Sequence, residues 1–92
     1  MLDINSIYKL SNSYILRAIN EKYWALSIED GTQLRLNESS FYILNLLSKN
    51  ISIKDIISDL LYNYNVEEKT LCEDLEDLIN ISLELKLIYK ER

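Results

Sequence analysis

The stretch LRLNESSFYILNLL, Leu34 to Leu47, changes its period part-way along. Leu34, Arg35 and Leu36 alternate like the end of a half-buried strand, because successive side chains on a strand point to opposite faces. Asn37 then suits a helix cap. Its short amide can accept from the backbone N–H of Ser39 or Ser40, and Glu38 places negative charge in the first turn, where the helix dipole favours it. Beyond the cap, Phe41, Tyr42, Ile43, Leu44, Leu46 and Leu47 point almost all the way round a helix, leaving a face for water only near Asn45. Such a helix has to be enclosed, here between a sheet that precedes it and helices that follow.

Working back from it, YILRAI (Tyr14 to Ile19) reads as a strand, and Asn20-Glu21-Lys22 as a tight turn into a second strand, Tyr23 to Ile28. An even loop there puts Ile15 and Ile19 on the face of Trp24. The following turn decides the register. A two-residue loop of Asp30 and Gly31 would set Leu26 opposite Arg35. A three-residue loop, Glu29-Asp30-Gly31, with Gly31 left-handed, sets Leu26 opposite Leu34 and Trp24 opposite Leu36, so that the apolar faces match. The second register is the expectation, and a loop tip with no fixed register is the alternative. Gly31 is the only glycine in the chain, and this loop needs one. Residues 1–13 (MLDINSIYKLSNS) mix apolar positions such as Leu2, Ile4, Ile7, Tyr8 and Leu10 with Asn and Ser, and leave their conformation open.

Working forward, Asn50 is suited to a left-handed stop, and Ser52 to capping a second helix. Ile53, Ile56, Ile57, Leu60, Leu61 and Tyr64 recur at helical spacing opposite Lys54, Asp55, Ser58 and Asp59. Tyr64-Asn65-Val66 makes a turn, a third helix runs from Glu67 to about Leu85, and LIYKER reads as helix end and tail. The fold class expected is α+β: a three-stranded antiparallel sheet followed by three helices, in one domain spanning residues 1–92.

Composition narrows the chemistry. The single cysteine, Cys72, leaves no internal disulfide or multi-cysteine metal site, and there is no histidine. Cys72 without histidine lacks the usual activating base and reads as a small core residue, so neither an enzyme nor a cofactor is expected. Apolar runs are too short to span a bilayer and the N-terminus lacks a basic segment before an apolar run, so a cytoplasmic protein without membrane contact is expected. Ten Lys and Arg against fifteen Asp and Glu give a net charge of -5, which repels a phosphate backbone.

The third helix carries more apolar surface than a helix ordinarily buries. At 100° per residue, Leu71, Cys72, Leu75, Leu78, Ile79, Ile81, Leu83 and Leu85 cover roughly 200° of arc, against somewhat over 100° for an ordinary surface helix. The other helices could cover the excess, or a homodimer could form through it. Alternatively it walls a groove beside the strand Thr32 to Leu36, whose outer edge is unpaired in a three-strand meander and can template an added strand. Ordering a short peptide strand costs on the order of 1 to 2 kcal/mol per residue, while each main-chain hydrogen bond returns about 1 net. Micromolar binding, about -8 kcal/mol, therefore needs inserted apolar side chains at about 1.5 to 3 kcal/mol each. Leu71, Leu75 and Leu78 are the candidates for the receiving wall, with Leu75→Asp expected to abolish binding and spare the fold.

Leu36-Asn37-Glu38 before the apolar helix, Ile56-Ile57 with Leu60, Tyr64 with Val66, Asp74-Leu75 with Leu78, and the closing Leu87-Ile88 together resemble the PqqD-like family, the RiPP recognition elements. The resemblance runs from about Tyr14 to Ile88. Asn50 and Lys86 stand where relatives often have glycine, the second position being attributed to a frayed helix end, and the N-terminal segment lacks the usual proline. The resemblance implies a winged helix-turn-helix-like fold that does no chemistry. It implies binding of the leader of a ribosomally made precursor peptide as an added antiparallel strand, and its presentation to a modifying enzyme or leader protease in a lasso-peptide or radical-SAM system. Carried over by position, it marks Thr32, Gln33, Leu34, Arg35 and Leu36 with Leu71, Asp74, Leu75 and Leu78. Asp74 is equally readable as a solvated acid. The rival reading, a winged-helix DNA-binding regulator, meets six acids and one base, Lys69, between Glu67 and Asp77.

Overall fold

The computed structural model describes residues 3–91, so Leu2 and the final Arg92 of the expectations above lie outside it. The elements run β1 (Tyr8–Leu10), β2 (Tyr14–Ile19), β3 (Lys22–Ser27), β4 (Gln33–Leu36), α1 (Glu38–Leu47), α2 (Ile53–Asn63), α3 (Glu68–Glu84) and β5 (Ile88–Lys90). The expected α+β core of a three-stranded antiparallel sheet, ordered β2-β3-β4, and three helices is present.

α1 begins where the change of period places it. Asn37 is extended and accepts from the Ser40 N–H at 2.7 Å, and Ile43, Leu44, Leu46 and Leu47 are buried. Phe41 meets Tyr23 of β3 with ring centroids 4.7 Å apart. On another side, the Tyr42 hydroxyl donates to Asp59 of α2 at 2.7 Å. Asn45 turns its amide back to the Phe41 carbonyl, so the one polar residue among these apolar ones satisfies itself within the helix. Ser52 caps α2 by accepting from Asp55 N–H. Asn50 takes the left-handed conformation expected of it, φ 61°.

The β2–β3 turn is Asn20-Glu21 alone, both residues at positive φ as the two-residue hairpin loop with matching twist requires. Lys22 belongs to the strand. Ile15 and Ile19 share the face of Trp24.

The β3–β4 register differs from the expected one by one residue. Ala25 lies opposite Leu34, Tyr23 opposite Leu36, Trp24 opposite Arg35 and Leu26 opposite Gln33. The loop holds four residues, Ile28 to Gly31, closed by Gly31 N–H to the Ser27 carbonyl (3.2 Å) and Ser27 N–H to the Thr32 carbonyl (2.8 Å). Gly31 is left-handed as expected, φ 78°, but the extra loop residue reverses which face each side chain takes. Leu34 and Leu36 therefore point inward with the fully buried Ala25, whose small side chain lets α1 approach, and Trp24 lies outside under the Arg35 guanidinium. Thr32 also falls outside β4, because its N–H is taken by the Asp30 carboxylate at 3.0 Å.

The C-terminal tail reading is overturned. Lys86 is left-handed (φ 62°) and its N–H donates to the Leu83 carbonyl, while Leu87 N–H donates to the Ser82 carbonyl. That pair of bonds is an ordered helix closure, not a frayed end. It turns the chain into β5, which pairs with β1 as a second, two-stranded sheet. The N-terminal segment thereby acquires its path. The Ser6 and Ile4 carbonyls accept from Ile53 and Lys54 N–H, two donors that the start of α2 leaves unpaired, and Ile7 bridges to Ser52.

Candidate functional site

Among the described residues β4 pairs with β3 on one side only, and the first strand lies elsewhere, against β5. The Thr32 carbonyl points to β3, where it accepts from Ser27 N–H, the orientation found in a hydrogen-bonded pair of a ladder. Such pairs alternate along an antiparallel ladder, so Leu34 and Leu36 direct their main-chain groups to β3, while Gln33 and Arg35 direct theirs to the open edge.

Beside that edge runs α3. Its core row is Leu75, Ile79 and Ser82, all buried. One step round the helix lies a second row of Leu71, Asp74, Leu78, Ile81 and Leu85, of which Ile81 is 53% and Leu85 47% exposed. This row is the excess arc. Its C-terminal half (Leu78, Ile81, Leu85) faces Leu34 and Leu36 across a groove of about 290 Å³. Its N-terminal half (Leu71, Asp74) lines a separate apolar pocket of about 270 Å³ with Tyr42 of α1 and Tyr64 and Val66 beyond α2.

The structure thus brings together Leu34, Arg35, Leu36 and Leu78, and sets Gln33 on the same edge. It places Leu71, Asp74 and Leu75 at the other pocket. Leu75 is 0% exposed and part of the core, so a carboxylate there would be buried without a partner and would disrupt the fold. The expectation that Leu75→Asp spares the fold is corrected accordingly. Ile81 and Leu85, which follow Leu78 at i+3 and i+7, extend this wall beyond the residues the sequence singles out. Their spacing is legible in the sequence, but the division of α3 into a core row and a flanking row is not. Cys72 is half-buried and free.

Charge near the groove is sparse. Arg35 is the one charged residue among those lining it, and its guanidinium lies 5.5 Å from the Trp24 ring centroid. At the adjoining loop, bonds from the Thr32 backbone N–H, then from the Thr32 and Ser27 hydroxyls, hold the Asp30 carboxyl down to about 2. Among the described residues no group of three or more His, Cys, Asp or Glu side chains is placed to hold a metal ion. Among the described residues, too, no helix is long and apolar enough to cross a membrane.

With this geometry in view, comparison with known families is decisive: the family described as Coenzyme PQQ synthesis protein D (PqqD) matches residues 1–88. The chain belongs to the PqqD family. Solved structures share its fold. One is TbiB1 in complex with the TbiA(beta) leader peptide, 22% identical, covering 87% of this chain and 93% of that one, with a TM-score of 0.77. Another is a lasso peptide synthetase B1 complexed with the leader peptide, 20% identical, covering 89% and 96%, with a TM-score of 0.78. No curated protein matches the sequence. The Asn50 and Lys86 positions, where PqqD-like relatives often carry glycine, are both left-handed here.

Proposed function

We propose that this PqqD-family chain binds the leader of a ribosomally made precursor peptide as a strand added to the open edge of β4, and delivers it to a separate modifying enzyme or leader protease. The observation that carries this reading is the juxtaposition of an unpaired edge, Gln33 to Leu36, with the half-exposed Ile81 and Leu85 of α3. The leader-bound state of the two solved relatives supports it. Gln33 and Arg35 offer two N–H and two C=O groups, worth about 1 kcal/mol net each. Ordering the guest strand offsets that gain, so a micromolar affinity would come from guest side chains buried against Leu34, Leu36, Leu78, Ile81 and Leu85.

The role needs no catalytic step and no cofactor from this chain, and a cytoplasmic location beside the translating precursor suits it. A duplex-binding role is opposed by the acids of α3, since groove-reading helices need cations. The product class follows from whichever enzyme the chain serves, of lasso-peptide or radical-SAM type. The test is calorimetric titration of the full chain with each short peptide encoded beside its gene. One of them should bind with micromolar or better affinity, and failure of all of them would end the proposal.

A further inference from the structure

The register of β4 also specifies what the guest must look like. In an antiparallel strand on this edge, the guest residues opposite Leu36 and Leu34 lie two apart and face α3, beside Ile81 and Leu85. The residue between them lies opposite Arg35 and faces the other way, onto the outer surface of the sheet. There Arg17, Trp24 and Arg35 form one row across the three strands, with the Arg35 guanidinium 5.5 Å from the indole centroid. None of these strands, YILRAI, KYWALS and QLRL, contains an acid, although the whole chain carries -5. The outer face of the strands thus carries three cations, Arg17, Lys22 and Arg35, with the acids Glu21, Glu29 and Asp30 confined to the turns at its ends, and Arg35 is the cation at the open edge.

Resting on the strand-addition reading, we infer that Arg35 is a specificity-determining residue that selects guests of the pattern apolar–acid–apolar, with the Asp or Glu directly opposite it. The order follows from the geometry. Leucine-like side chains at the outer two positions bury against α3, and the carboxylate between them extends the Arg17–Trp24–Arg35 row on the opposite face. A lysine at that position would meet like charge directly opposite, which is unfavourable for a cross-strand pair.

The experiment uses the full chain and a displayed library of random twelve-residue peptides. Selected binders should share two apolar residues at i and i+2, with Asp or Glu enriched between them. One selected peptide is then titrated in its acid form and in a form with lysine at the middle position. The wild type should favour the acid form by up to about fivefold, the size of a cross-strand charge pair. Arg35→Glu should reverse that order, and Arg35→Gln should bind both forms alike. Arg35 is exposed, so the variants should melt like the parent. If the apolar pair is selected but charge makes no difference in any of the three proteins, the role of Arg35 is overturned while strand addition stands. If no binder carries the i, i+2 apolar pair, strand addition itself fails and this inference with it.

Discussion

At the scale of single residues, Lys86 is the least comfortable. It sits at φ 62° to close α3 so that Leu87, 2% exposed, can enter the core. An L-residue in this conformation carries a steric cost that glycine escapes, roughly 1 kcal/mol. Lys86→Gly should therefore raise the unfolding free energy by about 1 kcal/mol, read as a higher urea midpoint at unchanged slope. Asn50→Gly should gain less, because Asn already tolerates the left-handed region. Position also decides which residue of α3 serves as a probe of binding. Leu75→Asp should unfold the domain, by circular dichroism, since it buries an unpaired carboxylate. Ile81→Asp, on the half-exposed row, should keep the native spectrum and weaken leader binding more than tenfold, the loss of about one buried apolar contact. The sequence displayed both leucine-like rows. It did not show which one the core would claim, because neighbouring rows on one helix differ by little more than the angle between adjacent residues.

At the scale of elements, the helices were legible and the hairpin register was not. α1 and α2 announce themselves by cap and stripe, both local signals. The β3–β4 pairing depends on loop parity, and alternation could not fix that parity because apolar side chains occupy both sheet faces: Tyr23, Ala25, Leu34 and Leu36 inside, Ile15, Trp24 and Leu26 outside. The pairing found makes Arg35 a residue whose N–H faces the open edge. Arg35→Pro, which deletes that donor and kinks the strand, should weaken leader binding far more than Arg35→Ala in parallel titrations; equal losses would point to the side chain alone. The loop that sets the register is held by Asp30. Its carboxyl lies at about 2, below the ordinary 3.8, through the bonds from Thr32 and Ser27. A depressed carboxylate contributes stability that is present above its unfolded value and lost as pH falls towards its folded one. Acidification from about pH 4 to pH 2 should thus erode stability less steeply in Asp30→Asn than in the parent, measured by urea melts at each pH.

At the scale of the whole molecule, β1 and β5 pair with each other beside the helices and, among the described residues, leave the outer edge of β4 unpaired. Tyr8, Lys9 and Leu10 pair with Lys90, Tyr89 and Ile88, and the Ile7 carbonyl accepts from Glu91 N–H at 2.8 Å. This second sheet could not be read from LIYKER, because three residues carry almost no period and their partner lies at the other end of the chain. Its consequence for function is that the N-terminal segment, free to cover the sheet margin in principle, is committed to α2 and β5 instead. If that commitment is structural, the last residues must contribute core energy, as a tail would not. Ile88 is 3% exposed while its neighbour Tyr89 is 47% exposed. Ile88→Ala should then cost about 2 to 4 kcal/mol by transfer and cavity effects, whereas Tyr89→Ala should cost well under 1. Urea melts of the two variants separate a docked strand from a loose end. The same Ile88→Ala variant, examined below its unfolding midpoint, should loosen β1 as well, so amide exchange at Lys9 and Ser11, whose N–H groups face β5, should accelerate together with that of β5 while the β2–β3 amides keep their protection.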